Sequence, residues 1–173
     1  HPLDDDVTTM VLTPRIADSV SIPVVTVGGI SDGRSLAAAL TLGAQGVMMA
    51  SRFIATTECE VHENIKQELI NRQEYETTMI CKSLGLQGRA LKNKVSAEVL
   101  EAEKQGGGLD AIIPLIAGQR IKKAWELGQV DNAPLMVGQS IGHIREVVSC
   151  RSLLEKMHDD AVKQLRKTIT LVQ

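Results

Sequence analysis

The chain has 173 residues, of which 43% are hydrophobic and 23% are charged, and its formal net charge is −2. This is the composition of an ordinary globular protein with enough apolar residues for one packed core. The balanced charge provides no basic surface for nucleic acid or for an anionic membrane. Aromatic residues make up only 2%, which argues against a stacking platform for single-stranded nucleic acid.

The cysteines and the apolar stretches indicate the cellular environment. Cys59, Cys81 and Cys150 are far apart and lack the spacing of a metal site, so we expect reduced thiols in a cytoplasmic protein. The longest apolar stretch, 109–118, contains a charged residue and a proline and is too short to cross a bilayer. We therefore expect no membrane segment.

The first elements predicted along the chain are a helix and a strand. A short amphipathic helix is expected over 8–20, although Pro14 is awkward in its interior. Residues 24–27 are all β-branched and show no alternation of polarity, which is typical of a strand buried on both faces in a parallel sheet.

A glycine turn and a second helix follow this strand. Gly28-Gly29 ends the strand, Ser31 is the expected N-cap, and the Ala- and Leu-rich stretch 34–42 predicts a helix that Gly43 closes. Residues 46–49 predict a second apolar strand. Strand, helix and strand within about thirty residues form a βαβ unit.

Helices dominate the remaining sequence. We predict helices over 61–72 and 91–105, a strand or extended segment over 77–83, and a long final helix over 149–171. The triple glycine at 106–108 stops the second of these helices, and one or two further helices lie before the last one.

The strand count decides the fold class. A closed (β/α)₈ barrel needs eight strands, and the sequence predicts far fewer. We therefore expect an α/β fold that is the C-terminal part of a (β/α)₈ TIM barrel with a helical extension. It would form one domain over 1–173, with the last βα units in 1–60 and the extension in 61–173. The start at His1 rather than at Met also favours a fragment.

Two strand-end loops carry the strongest functional pattern. Glycines at 28 and 29 let backbone amides approach an anion, and the helix beginning near Ser31 would add its N-terminal dipole. The next strand ends at Ala50-Ser51, where a hydroxyl reaches the same region. Barrel enzymes often bind phosphate between the loops after their last two strands. Each loop taken alone is also compatible with an ordinary turn.

The stretch IPVVTVGGISDGRSLAAALTLGAQGVMMASRF, residues 22–53, resembles the nitronate monooxygenases, once called 2-nitropropane dioxygenases. The resemblance continues through 54–70, through GRALKN at 88–93 and through VGQSIG at 137–142. FMN-dependent enoyl-acyl-carrier-protein reductases share much of this pattern, whereas the IMP dehydrogenase group shares only the phosphate loops.

The resemblance implies an FMN-binding TIM barrel and assigns the cofactor-binding residues. Gly28 and Gly29 match the first phosphate loop, and Ala50-Ser51 matches the second, where the family usually has Gly-Thr. The methyl group of Ala50 would therefore stand where backbone approaches phosphate, and it would weaken or alter FMN binding. Gly138-Gln139-Ser140 matches a loop that the family packs near the flavin; a plain helix-start turn is the alternative.

The resemblance also suggests a catalytic residue, His1, which aligns with a family histidine that faces the flavin ring. A neutral imidazole there would remove a proton from the carbon beside a nitro group, or would hydrogen-bond the anionic nitronate. A terminal residue without a role is the alternative.

Other polar residues receive plainer interpretations. We expect Arg52 and Glu58 to pair in support of the phosphate loop, and the three aspartates at 4–6 to form a solvated loop rather than a metal site. His143 is a further candidate for flavin or substrate contact, whereas His62 and His158 are expected at the surface.

The leading hypothesis is an FMN-dependent oxidoreductase that oxidises alkyl nitronates with dioxygen to a carbonyl compound and nitrite. The alternatives are an FMN-dependent enoyl-acyl-carrier-protein reductase that uses NAD(P)H, and an inactive truncated fragment. The expected partners are a nitronate or nitroalkane substrate and dioxygen, with no nucleic acid and no membrane; the sequence leaves a homo-oligomer open.

Overall fold

A computed structural model describes residues 7–172 of the chain. The first elements are α1 (Thr9–Ala17), β1 (Val25–Val27), α2 (Gly33–Thr41), β2 (Gly46–Met48) and the short α3 (Ser51–Ile54). The predicted helix at 8–20 is confirmed but ends three residues early. Within the described residues, no helix is both long and apolar enough to cross a membrane.

The predicted βαβ unit is confirmed. Strands β1 and β2 pair in parallel, with Val25 opposite Gly46 and Val27 opposite Met48. Helix α2 connects them and ends at Thr41, with Leu42 as its C-cap, and Gly43 then adopts a positive φ of 96°, as expected for a left-handed helix terminus. Because the strands are parallel, the loops that follow them leave from the same edge of the sheet.

The burial predicted for β1 is wrong on one face. Thr26 is buried and its hydroxyl lies 3.1 Å from that of Thr13 on α1, so the helix covers this face. Val25 and Val27 point to the other face and are 60% and 48% exposed, because no described element packs against them. The apolar run therefore marks a face that further barrel strands would cover.

The second part of the chain combines helices with an antiparallel hairpin. Its elements are α4 (Glu63–Asn71), β3 (Thr77–Ile80), β4 (Gly88–Leu91), α5 (Lys94–Lys104), α6 (Gly108–Ile116), α7 (Gly118–Leu127) and α8 (Cys150–Ile169). The expected strand near 77 and the long final helix are confirmed. Strand β4 pairs with β3, so the predicted start of a helix at 91 is wrong: Leu91 ends a strand and Asn93 caps α5 through Ser96.

Residues 135–137 extend this hairpin. The amide of Leu91 donates to the carbonyl of Leu135 at 2.8 Å, and the amide of Val137 donates to the carbonyl of Arg89 at 3.1 Å. Leu91, Leu135 and Val137 are buried in one apolar cluster with Ile65 and Leu69 of α4. The extended pairing fixes where the next residue, Gly138, leaves the sheet.

Helix α8 packs back onto the βαβ unit. Gly33, at the start of α2, lies so close to α8 that an added Cβ would stand 2.7 Å from the amide nitrogen of Ala161 and from the carbonyl oxygen of Met157. Leu153 and Met157 of α8 are buried with Ala39 of α2. The last helix of the chain thus braces the helix that follows the first glycine turn.

Candidate functional site

The first candidate loop is the glycine pair at the carboxyl end of β1. Gly28 and Gly29 have φ values of 103° and 77°, a conformation that side chains other than glycine rarely adopt. The hydroxyl of Thr9 donates to the carbonyl of Gly28 at 3.1 Å and ties the turn to α1. A Cβ built on Gly29 would meet no atom within 4 Å, so open space lies beside this turn.

The N-terminus of α2 differs from the prediction. Asp32, and not Ser31, is the N-cap: its carboxylate accepts from the amide of Ser35 at 2.8 Å, and the Ser35 hydroxyl accepts from the amide of Asp32 at 3.1 Å. Arg34 pairs with the same carboxylate at 2.8 Å. Because an anionic side chain already binds the Ser35 amide at this helix start, part of the predicted contribution of the α2 dipole to anion binding is used within the protein.

The charge on Asp32 is maintained by its neighbours. Partial burial alone would raise the pKa of this carboxyl group, but the hydrogen bonds from the Ser35 amide and the Arg34 guanidinium hold the pKa below its ordinary value. Ser31, one residue earlier, is buried, and its hydroxyl oxygen has no hydrogen-bond partner among residues 7–172. The first loop therefore contains one permanent negative charge and one unsatisfied hydroxyl.

The second candidate loop, at the end of β2, differs from the first because no side chain caps the helix that follows it. Ala50 precedes α3 and provides no side-chain cap, and its φ of −115° is accessible to alanine. The carbonyl of Ala50 accepts from the amides of Phe53 and Ile54 at 3.0 and 3.3 Å. Within the described part of the chain, the amides of Ser51 and Arg52 have no such acceptor, so both amides are free to bind an anion.

A hydrogen bond joins this loop to the glycine-glutamine segment. The buried hydroxyl of Ser51 accepts from the amide of Gly138 at 2.9 Å, across 87 residues of sequence. Gln139 begins a short 3₁₀ segment that runs to His143; its side chain is exposed, whereas Ser140 is buried. The structure thus brings the Ser51 loop and the Gly138 loop together, as the resemblance implies.

Two of the sequence predictions stay untested, and one is wrong. His1 and the aspartates at 4–6 lie outside the described residues. The predicted pair between Arg52 and Glu58 is wrong: Arg52 donates to the carbonyl of Ala55 at 3.0 Å, whereas the carboxylate of Glu58 accepts from the amide of Cys150 at 2.9 Å. The two side chains therefore bind different backbone groups: Arg52 a carbonyl three residues later, and Glu58 an amide 92 residues later.

The remaining histidines are accounted for without a ligand. His62 caps α4, where its Nδ1 atom accepts from the amide of Asn64 at 3.1 Å. His158 lies 3.0 Å from Asp159 on the exposed face of α8. His143 is exposed at the end of the 3₁₀ segment. Among the residues that the structure describes, no group of three or more His, Cys, Asp or Glu side chains could hold a metal ion.

Two residues that matter to the loops were not predicted in their observed roles. The signal for Asp32 was present, because Asp followed three residues later by Ser is a capping pattern. Glu58 gave no local signal, since its partner is the start of a helix 92 residues later. The Cys150 amide, followed by the Thr57 hydroxyl, holds the pKa of Glu58 below its ordinary value.

The arrangement fits a phosphate group. Open space lies beside Gly29, free amides lie at Ser51 and Arg52, and the Ser51 hydroxyl keeps its proton available because it accepts from Gly138. Both loops leave the same edge of a parallel sheet, which is where barrel and other α/β enzymes bind phosphate. The residues present could therefore hold a phosphate group.

Comparison with known proteins identifies the family of the chain. The family model for nitronate monooxygenase matches residues 2–160. A probable nitronate monooxygenase of Bacillus subtilis (strain 168) is 32% identical over 154 residues, which cover 89% of this chain and 44% of that protein. The chain thus spans about half the length of the relatives that it matches.

Solved structures show the same fold. FabK from Thermotoga maritima superposes with a TM-score of 0.90 at 31% identity, over 96% of this chain and 52% of that one. Nitroalkane oxidase from Streptomyces ansochromogenes has a TM-score of 0.71 at 24% identity, over 91% of this chain and 44% of that one. Both are TIM-barrel enzymes, so the expected fold class, part of a (β/α)₈ barrel, is confirmed. The chain belongs to the nitronate monooxygenase family, whose enzymes are flavin-dependent oxidoreductases.

Proposed function

We propose that the protein is an FMN-dependent oxidoreductase that oxidises alkyl nitronates with dioxygen to a carbonyl compound and nitrite. The observation that carries this proposal is the meeting of Ser51 and Gly138, at the edge of the parallel sheet where the Gly28-Gly29 turn also lies. Family membership supplies the reaction class, and the loop geometry supplies the preference for a phosphorylated flavin.

Each proposed site residue has a defined task. Gly28, Gly29 and Ala50 present backbone to the phosphate without bulky side chains. Ser51 donates its hydroxyl proton to a phosphate oxygen while it accepts from Gly138. Gln139 and Ser140 follow directly and would stand beside the flavin.

The redox chemistry comes from the cofactor. When bound, the flavin ring supplies the electron acceptor that takes electrons from the nitronate and passes them to dioxygen. His1 is the proposed base that removes a proton from the carbon beside the nitro group, or the partner that hydrogen-bonds the anionic nitronate. The substrate and dioxygen are the proposed small-molecule partners. The free cysteines support a cytoplasmic location.

An anaerobic assay of the intact protein with bound flavin tests the proposal. We expect a primary alkyl nitronate to bleach the flavin absorbance rapidly, and NADH or NADPH to leave it unchanged. Admission of dioxygen should then restore the absorbance and release nitrite. No bleaching by any nitronate would contradict the proposal.

The same assay distinguishes nitronate oxidation from the second candidate activity, that of a flavin-dependent reductase of enoyl thioesters. Such reductases share the loop motifs. Rapid bleaching by NAD(P)H, followed by reoxidation with an enoyl thioester, would favour that activity. The third candidate, an inactive fragment, is tested by expressing residues 1–173 alone; flavin bound at one equivalent would remove it. The oligomeric state is measured by light scattering on the same sample.

A further inference from the structure

We propose that the buried guanidinium of Arg52 supplies the positive charge that balances the flavin phosphate. This inference rests on the proposed function, because it presumes an FMN phosphate at the Ser51 loop. The backbone amides and the hydroxyl of the loop are uncharged, so only the Arg52 side chain would supply a full positive charge there.

Arg52 is buried more deeply than an arginine ordinarily is. It is 5% exposed although it directly follows Ser51 at a sheet edge. Charged side chains are almost never fully buried without a partner of opposite charge, because removing a charge from water is costly. The burial of this cation is therefore costly unless another group offsets its charge.

The described residues provide little compensation. One nitrogen, Nη1, donates to the carbonyl of Ala55 at 3.0 Å, which closes the turn of α3. No carboxylate of residues 7–172 lies within ion-pair distance of the guanidinium. Burial lowers the pKa of Arg52, and the more distant charge of Glu146 offsets this only in part.

A phosphate at the Ser51 loop would offset the positive charge of Arg52. The backbone amide of Arg52 is one of the free amides of that loop, so the guanidinium lies within one side-chain length of the proposed anion. At an effective dielectric constant of about 20, a unit charge about 10 Å away changes the affinity for an anion by roughly tenfold or more. The effect on riboflavin, which has no phosphate, should be close to zero.

The test titrates the flavin-free intact protein with FMN and, separately, with riboflavin. Arg52→Met should weaken FMN binding about tenfold and change riboflavin binding less than twofold. Arg52→Lys keeps the charge and should restore most of the FMN affinity. An equal loss for both flavins in Arg52→Met would show a purely structural role, and unchanged FMN binding would overturn the proposal as well.

A second variant avoids disturbing the buried residue. Glu146 is exposed and opposes the Arg52 charge, so Glu146→Gln should strengthen FMN binding about twofold without affecting riboflavin. Weaker or unchanged FMN binding would contradict the proposal even if Arg52→Met fails to fold. If the unaltered protein binds both flavins equally, the phosphate site itself is absent and the proposed function fails with it. If it prefers FMN and Arg52→Met keeps that preference, only the role of Arg52 is lost.

Discussion

The two strand-end loops occupy equivalent positions but are built differently. The loop after β1 uses positive-φ glycines, and the helix behind it is capped by its own carboxylate, Asp32. The loop after β2 uses ordinary backbone, leaves its first amides free, and gains a hydroxyl that is bound to Gly138. The first loop therefore provides backbone without side chains, next to the negative charge of Asp32. The second loop provides hydrogen-bond donors, next to the buried cation of Arg52.

In the proposed function, this difference divides the binding of the phosphate between the two loops. The first loop would contribute mainly by keeping side chains away from the ligand. The second would contribute the attractive contacts and link them to the glycine-glutamine segment. Four substitutions test this division, and each compares FMN with riboflavin in the intact protein.

The largest effect is expected from Gly29→Ala. A methyl group at φ 77° strains the turn by about 1–2 kcal/mol and fills the open space beside it, so FMN affinity should fall at least tenfold. Gly85→Ala is the matched control, because Gly85 also has a positive φ of 65° and open space around its Cα, away from the site. Both variants should lose similar thermal stability. Equal flavin affinities in the two variants would break the assignment of the first loop.

Ser51→Ala should reduce FMN affinity about tenfold. The variant removes a donor to the phosphate and leaves the amide of Gly138 without its acceptor, a loss of about 1–3 kcal/mol. Ser51→Thr retains the hydroxyl and should bind FMN within about twofold of the unaltered protein. Isothermal titration calorimetry measures both, and a Ser51→Ala variant with full affinity would remove the second loop from the site.

Asp32→Asn should strengthen FMN binding about threefold. Asparagine caps helices as well as aspartate does, so the change removes one negative charge near the first loop without loss of the cap. Asp131→Asn is the control, because Asp131 accepts from the amide of Lys94 at the start of α5, outside the site. If both variants strengthen FMN binding equally, the charge of Asp32 has no local effect.

The smallest effect is expected from Ala50→Gly. The φ of −115° at Ala50 needs no glycine, so only the space taken by the methyl group changes, and FMN affinity should rise about twofold. Ala50→Val enlarges the side chain and should lower the affinity. A series in which Gly, Ala and Val bind FMN equally would show that the phosphate does not approach this residue.

Much of the βαβ unit was predictable because its signals are local. A few neighbouring residues are enough to predict each of its parts: the β-branched strand, the glycine turn and the Ala-rich helix. The N-cap was misplaced by one residue because Ser31 and Asp32 are both good caps, and only the interaction of Asp32 with Ser35 decides between them.

The errors occurred where distant residues decide the structure. Leu91 reads as part of a helix, yet its amide pairs with Leu135, a partner that no local pattern reveals. The exposed face of β1 depends on strands outside the described chain. The hydrogen bond between Ser51 and Gly138 was not predicted: the family resemblance assigned both residues to the cofactor site, but 87 residues separate the two in sequence.

The anchoring of α8 has a consequence for biosynthesis. Glu58, just past the second loop, binds the first amide of α8, and Gly33, just past the first loop, lies against the middle of the same helix. Neither contact exists until the residues of α8 have emerged from the ribosome and packed against the βαβ unit. The two loops are therefore expected to reach their final arrangement late in folding, since contacts between distant residues form slowly.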